Sequence, residues 1–481
     1  MHRFLISLIL MSTPPLHARD FAPSTALAAS QPQEQAASFA GIFSDGMVLQ
    51  AGMPLRFWGS AAPGSELVVS FAGQQGKTRA DDAGQWSLEL PALAPNGTGQ
   101  ELALVAGERR VVLKDVLVGE VWICSGQSNM EWALNKLGSA GTEAIAAAEL
   151  PQLRLFSIDR TTAPSPAASL SKFKPWVACS PASVVKTGTH GAFSATAFHF
   201  GRKLQQELGV PVGLIQSAWG GTSIQSWTPA DAVTDAKTPK DTAVRYNAMI
   251  APLSRLSCRG VIWYQGENNI ASGRDYGPKM QGMIEGWRKN FGRPDLSFYA
   301  VELASFRYNK TRKVPEDTLT LLRMGQLDAL RAAGPLAGLA HSLDVADDVD
   351  NIHPLDKRSP GERLARLALA KTYKKPLGKS LAGPEFLKTE VRGGDLVVHF
   401  SDTAGALKAA DAQAPRGFSI AEGNGEGRRW TAAEALIEGD KILLKGAAGA
   451  SAVALCRAET EQTTLRNAED LPPAPFILEL E

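Results

Sequence analysis

The chain has 481 residues, a formal net charge of +1, 44% hydrophobic and 21% charged residues. That length exceeds what one ordinary hydrophobic core organises, and the composition is globular, so two to four domains are expected. The balanced charge leaves no polybasic face to attract phosphates, which argues against nucleic acid as a partner.

The chain opens "MHRFLISLILMSTPPLHARD": one arginine, an apolar stretch from Phe4 to Met11, then small and turn residues. This is the layout of a secretory signal peptide, with candidate cleavage points after Ala18 and after Ala28. The apolar stretch is far short of the ~18 to 20 residues that a bilayer needs. Export to the periplasm or extracellular space, with no membrane attachment after cleavage, is the expectation. Residues 1–37 are read as signal peptide and flexible leader. Residues 38–113 carry short runs such as "LRFWGSA", "ELVVSFAG" and "GQWSLELP", punctuated by Gly, Pro and Asn. They predict a β-sandwich-like module.

From residue 114 the pattern changes. "VLVGEVWICSG", "VGLIQSAWGG" and "CRGVIWYQGE" read as buried strands, with "LSFYAVELASF" and "LAGLAHSLDVAD" as further strands. "ATAFHFGRKLQQELG", "YGPKMQGMIEGWRKNF" and "PGERLARLALAKTYK" read as helices. Near-continuous apolar strands alternating with amphipathic helices predict a parallel sheet covered on both faces, spanning residues 114–380. From 381 to 481, short alternating runs return and predict a second β-rich module. The cysteines Cys124, Cys179, Cys258 and Cys456 form no CxxC pair, which argues against structural zinc. Their even number in an exported protein permits disulfides.

Open parallel sheets bind ligands at the carboxyl ends of their strands. Four predicted strands lead there into polar loops: "SGQSNMEW", "WGGTSIQSW", "WYQGENN" and the run from Asp344 to His353. Ser128 follows a strand and a glycine, where a sharp turn exposes a hydroxyl, and a serine needs a neighbouring base to become a nucleophile. His353 is the best-placed base. His2 and His17 fall in the leader, His199 on a helix and His399 in a C-terminal strand, while His190 and His341 stay open as alternatives. Asp350, three residues before His353, is the candidate to orient the imidazole. The oxyanion of acyl transfer needs donors, available from the Ser128 N–H, a glycine of "WGGTS" and an amide of "QGENN". Each signal alone has a plainer meaning: a serine in a turn, a tight Gly-Gly turn, a solvated acidic loop. A calcium role for Asp344, Asp347, Asp348 and Asp350 lacks the EF-hand spacing. The order of the motifs is what carries weight.

These motifs resemble those of the SGNH (GDSL-like) hydrolases, and within them the sialate O-acetylesterase-like family. The resemblance rests on "SGQSNMEW", "GLIQSAWGGTSIQSW", "YNAMIAPL", "WYQGEN" and "DNIHP", and extends to the opening "FSDGMVLQAGMPLRFWG" and the closing "LRNAEDLPPAPF". It implies an α/β, flavodoxin-like three-layer catalytic domain flanked by N-terminal and C-terminal β-rich modules. It implies Ser128 as nucleophile, His353 as general base and acid, and Asp350 as its orienter. Gly221 is the implied backbone oxyanion donor, with Gly220 the alternative, and Asn268 and Gln265 are candidates for the side-chain amide. The superfamily pattern Gly-x-Asn-Asp meets Asn269 in place of Asp, which leaves that choice open. The implied reaction is hydrolysis of O-acetyl esters on sugars, nominally 9-O-acetyl sialic acid, with no metal or organic cofactor. Two rivals stand beside it: an esterase acting on acetylated xylan or xyloglucan, and a non-catalytic carbohydrate-binding protein. Trp132 and Trp227 are candidates to stack on sugar rings in either case.

Overall fold

The computed structural model describes residues 36–480, apart from 190, 236–239, 424, 426 and 427. The expected signal peptide, its cleavage points and His190 lie outside the described residues. Among the described residues no helix is long and apolar enough to cross a membrane.

Seven strands make the central sheet, labelled here in chain order: β1 (Arg109–Gly126), β2 (Leu150–Ile158), β3 (Phe173–Cys179), β4 (Val212–Ala218), β5 (Gly260–Tyr264), β6 (Ser297–Val301) and β7 (Ala337–Ala340). Their spatial order is β3-β2-β4-β1-β5-β6-β7. β3 is antiparallel to β2, and every other pairing in this order is parallel. Strands β4 to β7 are buried at every residue, as apolar runs covered on both faces must be. The helices that serve the site are α1 (Ser128–Glu131), α2 (Ala195–Leu208), α3 (Tyr276–Asn290), α4 (Thr318–Ala332) and α5 (Arg358–Lys371). α2 packs with α5 and α3 with α4, and together with the sheet they form the three layers of an α/β fold. Local chemistry sets the ends of α2. The Ser194 side chain accepts from the Ala197 N–H at the start, and Gly209 turns left-handed (φ +67°) at the finish.

β1 belongs to two sheets. Its first half pairs with Val48–Gln50 and Asn96–Ala106 of the N-terminal strands, and its second half is the centre of the parallel sheet. One hydrophobic core accordingly runs from Ala37 to Leu369. A second gathers the C-terminal antiparallel strands around Leu343, Val398, Phe418 and Leu455. The four cysteines are buried and unpaired. Burial pushes the Cys179 and Cys258 thiols up to about 12, leaving them protonated and unreactive.

The topology places the site. From β1 the chain runs outward to β2 and β3 and returns to β4 on one side of β1, then continues through β5, β6 and β7 on the other. That reversal leaves a crevice beyond the carboxyl ends of β4, β1 and β5.

Candidate active site

β1 ends at Gly126, whose φ of +138° and closeness to β5 require glycine: a methyl there would lie 2.2 Å from the Tyr264 carbonyl oxygen. The chain turns sharply at Gln127 and enters α1 at Ser128. Ser128 lines a cleft of about 430 Å³ together with Gln127, Gly220, Gly221, Asn268 and His353. The loops after β1, β4 and β5 and the acidic run after β7 thus meet at one crevice.

Two glycines follow Trp219, and their N–H groups have different fates. The Gly220 N–H donates to Glu131 Oε2 at 2.8 Å. The Gly221 N–H has no acceptor among the described residues, and Gly221 itself, at φ +73°, lines the cleft. Glu131 also accepts from Arg160 Nε (2.8 Å) and Nη2 (2.6 Å) and from Thr189 Oγ1 (2.6 Å). Burial alone raises its carboxyl, but the Arg160 and Thr189 hydrogen bonds outweigh burial and hold it below the usual carboxylate range.

Of the two amide candidates, Asn268 lines the cleft. Arg312 Nη2 reaches its Oδ1 at 3.3 Å, which leaves the Nδ2 end as the donor. Gln265 is not placed to serve. It is fully buried behind the cleft, its Nε2 donating to Gln127 Oε1 (3.1 Å), Thr222 O (3.0 Å) and Asn269 Oδ1 (2.9 Å). Its Oε1 accepts from Tyr276 Oη at 2.6 Å. Gln265 therefore clamps three loops together, and a buried amide with both ends engaged has no donor left for an oxyanion. Asn269 extends the clamp by accepting from the Ile224 N–H and donating to Gln225 Oε1.

His353 lies half-buried in the cleft wall with its ring stacked on Trp132, centroids 4.0 Å apart and planes at 17°. Asn351 holds the backbone on both sides, accepting from the His353 N–H and donating to its carbonyl. The ring Nε2 is buried without a protein partner. Burial, then the charges of Lys357 and Lys136, pull the imidazole down to about 4, so it is neutral at pH 7. No hydrogen bond joins it to Ser128 among the described residues; in unliganded sites such bonds commonly tighten only when substrate is bound.

Asp350 is where the structure departs from the expected triad. Its carboxylate pairs with Arg307 Nε at 3.0 Å and lies 3.7 Å from Lys310 Nζ, half-exposed, and it makes no bond to His353. The three-residue spacing that suggested contact puts the two side chains on one loop, but two exposed cations draw the carboxylate outward. Trp132 and Trp227 are corrections of the same kind. Trp132 is occupied by His353, and Trp227 is fully buried, so neither presents a free face to a sugar.

Beneath the cleft the sequence concealed a buried polar chain. Asn129 Nδ2 donates to Glu267 Oε1 and, at 3.0 Å, to the Ile352 carbonyl, while Asn129 Oδ1 accepts from Lys357 Nζ at 2.8 Å. Burial holds the Glu267 carboxyl above its ordinary value and pulls the Lys357 ammonium down to about 7. One asparagine thus ties the nucleophile turn to the loop that carries His353. No local signal marked them: Glu267 stands between Gly266 and Asn268 and Lys357 between Asp356 and Arg358, a setting that reads as solvated loop.

His341, left open as another base, and His199, set aside on its helix, both lie away from the cleft lining. His199 is on α2, and His341 is fully buried with Nδ1 3.4 Å from Glu302 Oε1. No group of three or more potential metal ligands occurs among the described residues. A serine and a neutral histidine lining one crevice of an open α/β sheet, beside N–H donors, are the groups that a serine esterase requires. A profile for the family described as "Carbohydrate esterase, sialic acid-specific acetylesterase" matches residues 118–369. The sialate O-acetylesterases of Pongo abelii and Homo sapiens are each 30% identical, over 385 and 381 residues, covering 70% of this chain and 71% of theirs. A crystal structure of a carbohydrate acetylesterase from Xanthomonas citri matches with TM-score 0.82 and 34% identity, covering 92% of this chain and 100% of that one. The chain belongs to the sialic acid-specific acetylesterase family of carbohydrate esterases.

Proposed function

We propose that this esterase removes acetyl groups from sugar hydroxyls through an acetyl-serine intermediate, with 9-O-acetyl sialic acid as the reference substrate. The observation that carries the reading is the cleft itself, where Ser128, Gly221, Asn268 and the neutral His353 line one wall-to-wall space. Ser128 Oγ attacks the acetyl carbonyl as its proton passes to the imidazole. The N–H groups of Ser128 and Gly221 and the Asn268 amide receive the oxyanion. Collapse expels the sugar oxygen, which takes the proton from the imidazolium. Water then adds to the acetyl-serine by the same route and releases acetate. For Asp350 to complete the triad, its carboxylate must exchange Arg307 for the imidazole N–H when substrate binds. Phe306, Tyr308 and Arg312 also line the cleft, an apolar and cationic surface suited to a sugar ring that bears a carboxylate.

The substrate test is acetate release from 9-O-acetyl sialic acid, acetylated xylan and acetylated xyloglucan, compared by kcat/KM. Preference for the acidic sugar is expected. Preference for either polymer replaces it with the plant-polysaccharide reading, and no release from any of the three overturns the esterase mechanism.

The imidazole makes a pH prediction. The base must be neutral, and burial favours the neutral form, so kcat/KM should hold its plateau down to pH 5 and fall only near pH 4. Trp132→Ala exposes the ring and should move that limb up toward the unperturbed value of about 6.5. A wild-type limb already near 6.5 would show that His353 is not buried in the working enzyme.

A further inference from the structure

Glu131 belongs to the "SGQSNMEW" run but has no part in the acyl transfer just described. It closes α1 three residues after Ser128, with a relative exposure of 1%. Its carboxylate joins its own turn to Arg160 beyond β2, Thr189 ahead of α2 and Gly220 beyond β4. We propose that Glu131 is a positioning residue for the oxyanion hole: it draws the Gly220 N–H back from the acyl group, fixes the peptide plane before Gly220, and so presents the Gly221 N–H to the cleft. The inference rests on the roles assigned to Ser128 and Gly221.

The geometry leaves little slack. A methyl on Gly220 would come 3.1 Å from Ser128 Cβ and 3.3 Å from Glu131 Oε2, so the glycine loop runs directly against the nucleophile turn. The guanidinium of Arg160, which neutralises Glu131, also lies 5.9 Å from the centroid of the Trp219 ring, and Arg245 lies 4.6 Å from it. Carboxylate, arginine and the residue preceding the glycines form one packed unit. A buried carboxylate resists losing any of its donors, because the alternative is an uncompensated buried charge. It therefore holds the loop at one distance from Ser128. A misplacement of about 1 Å at such a site costs on the order of 10²-fold in rate.

The test compares Glu131→Gln, Arg160→Lys, Thr189→Val and Ser128→Ala in hydrolysis of p-nitrophenyl acetate. Each is also titrated with an alkyl boronic acid, which forms a tetrahedral adduct on the serine. For Glu131→Gln, kcat should fall about 10- to 100-fold with KM within threefold, boronate affinity weakening in the same proportion and Tm moving by only a few degrees. Thr189→Val removes a donor to the other carboxylate oxygen and leaves the Gly220 bond, so its fall in kcat should be smaller than that of Glu131→Gln, and an equal fall would count against the Gly220 bond as the cause. If Glu131→Gln does not fold, Arg160→Lys carries the test: a smaller drop, again in kcat and boronate affinity together. Unchanged kcat, or a loss that merely tracks the unfolded fraction, overturns the positioning role. Activity retained in Ser128→Ala overturns the serine reading beneath it, a separate outcome visible in the same series.

Discussion

Ser128→Ala is expected to lower kcat on the order of 10⁵- to 10⁶-fold while KM changes only a few-fold and the fold is kept. The hydroxyl makes no hydrogen bond among the described residues, so its removal leaves no buried group unpaired. Cleft and backbone donors persist, and a residual rate above that of water should survive from them. His353→Ala should cost about as much, and the double variant little more than either single one, because nucleophile and base act as a unit. Single-turnover measurement of acetate release checks this. Additive losses, or activity surviving in both single variants, would assign the chemistry to other residues.

The second large effect concerns Asp350. Asp350→Asn should lower kcat about 10³- to 10⁴-fold, the scale associated with losing the group that fixes a catalytic imidazole. Arg307→Ala should instead leave kcat unchanged or raise it a few-fold. It frees the carboxylate from a pair whose partners are 43% and 47% exposed, a pair contributing about 1 kcal/mol or less to stability. The pH profiles give an independent reading. kcat/KM reports the free enzyme, in which Asp350 sits on Arg307, whereas kcat reports the substrate complex, in which the proposed triad requires it to sit on His353. A carboxylate beside the imidazole favours its charged form, so the acid limb of kcat should lie above that of kcat/KM. In Asp350→Asn the two limbs should coincide. Wild-type activity in Asp350→Asn would mean that Trp132 stacking alone orients His353, and the triad would reduce to a dyad.

Glu131, Glu267 and Lys357 illustrate what kind of residue escapes a linear reading. Each is charged and each is almost wholly buried, and its partners are far away along the chain: Glu131 meets Gly220, and Asn129 bridges Glu267 to Lys357. Sequence reasoning places charge outside by default, since an unpaired buried charge is costly. The pairing that makes burial tolerable exists only after folding. Strand β2 was hidden for a related reason. Pro151 and Arg154 interrupt its apolar run, and Arg154 is tolerated in the interior because Asp115 meets it at 2.6 Å. Helix α4 also went unanticipated, since Thr, Arg and Gln within "TLTLLRMGQLDALRA" blur its apolar stripe although Thr320, Arg323 and Gln326 are all buried.

By itself the sequence determined the alternation of strands and helices, because apolar periodicity is local and burial on both sheet faces demands it. It also marked which loops line the cleft, because strand ends, glycines and polar runs are local marks too. Ser128 and His353 were read in this way, whereas Gly221 and Asn268 were singled out by the family resemblance. Only the tertiary structure decided which of the candidates face one another. Gln265 went to the interior as a clamp, Asp350 turned to Arg307, and Trp132 took His353 rather than a sugar, since side-chain direction depends on neighbours that the chain brings together only when the sheet closes.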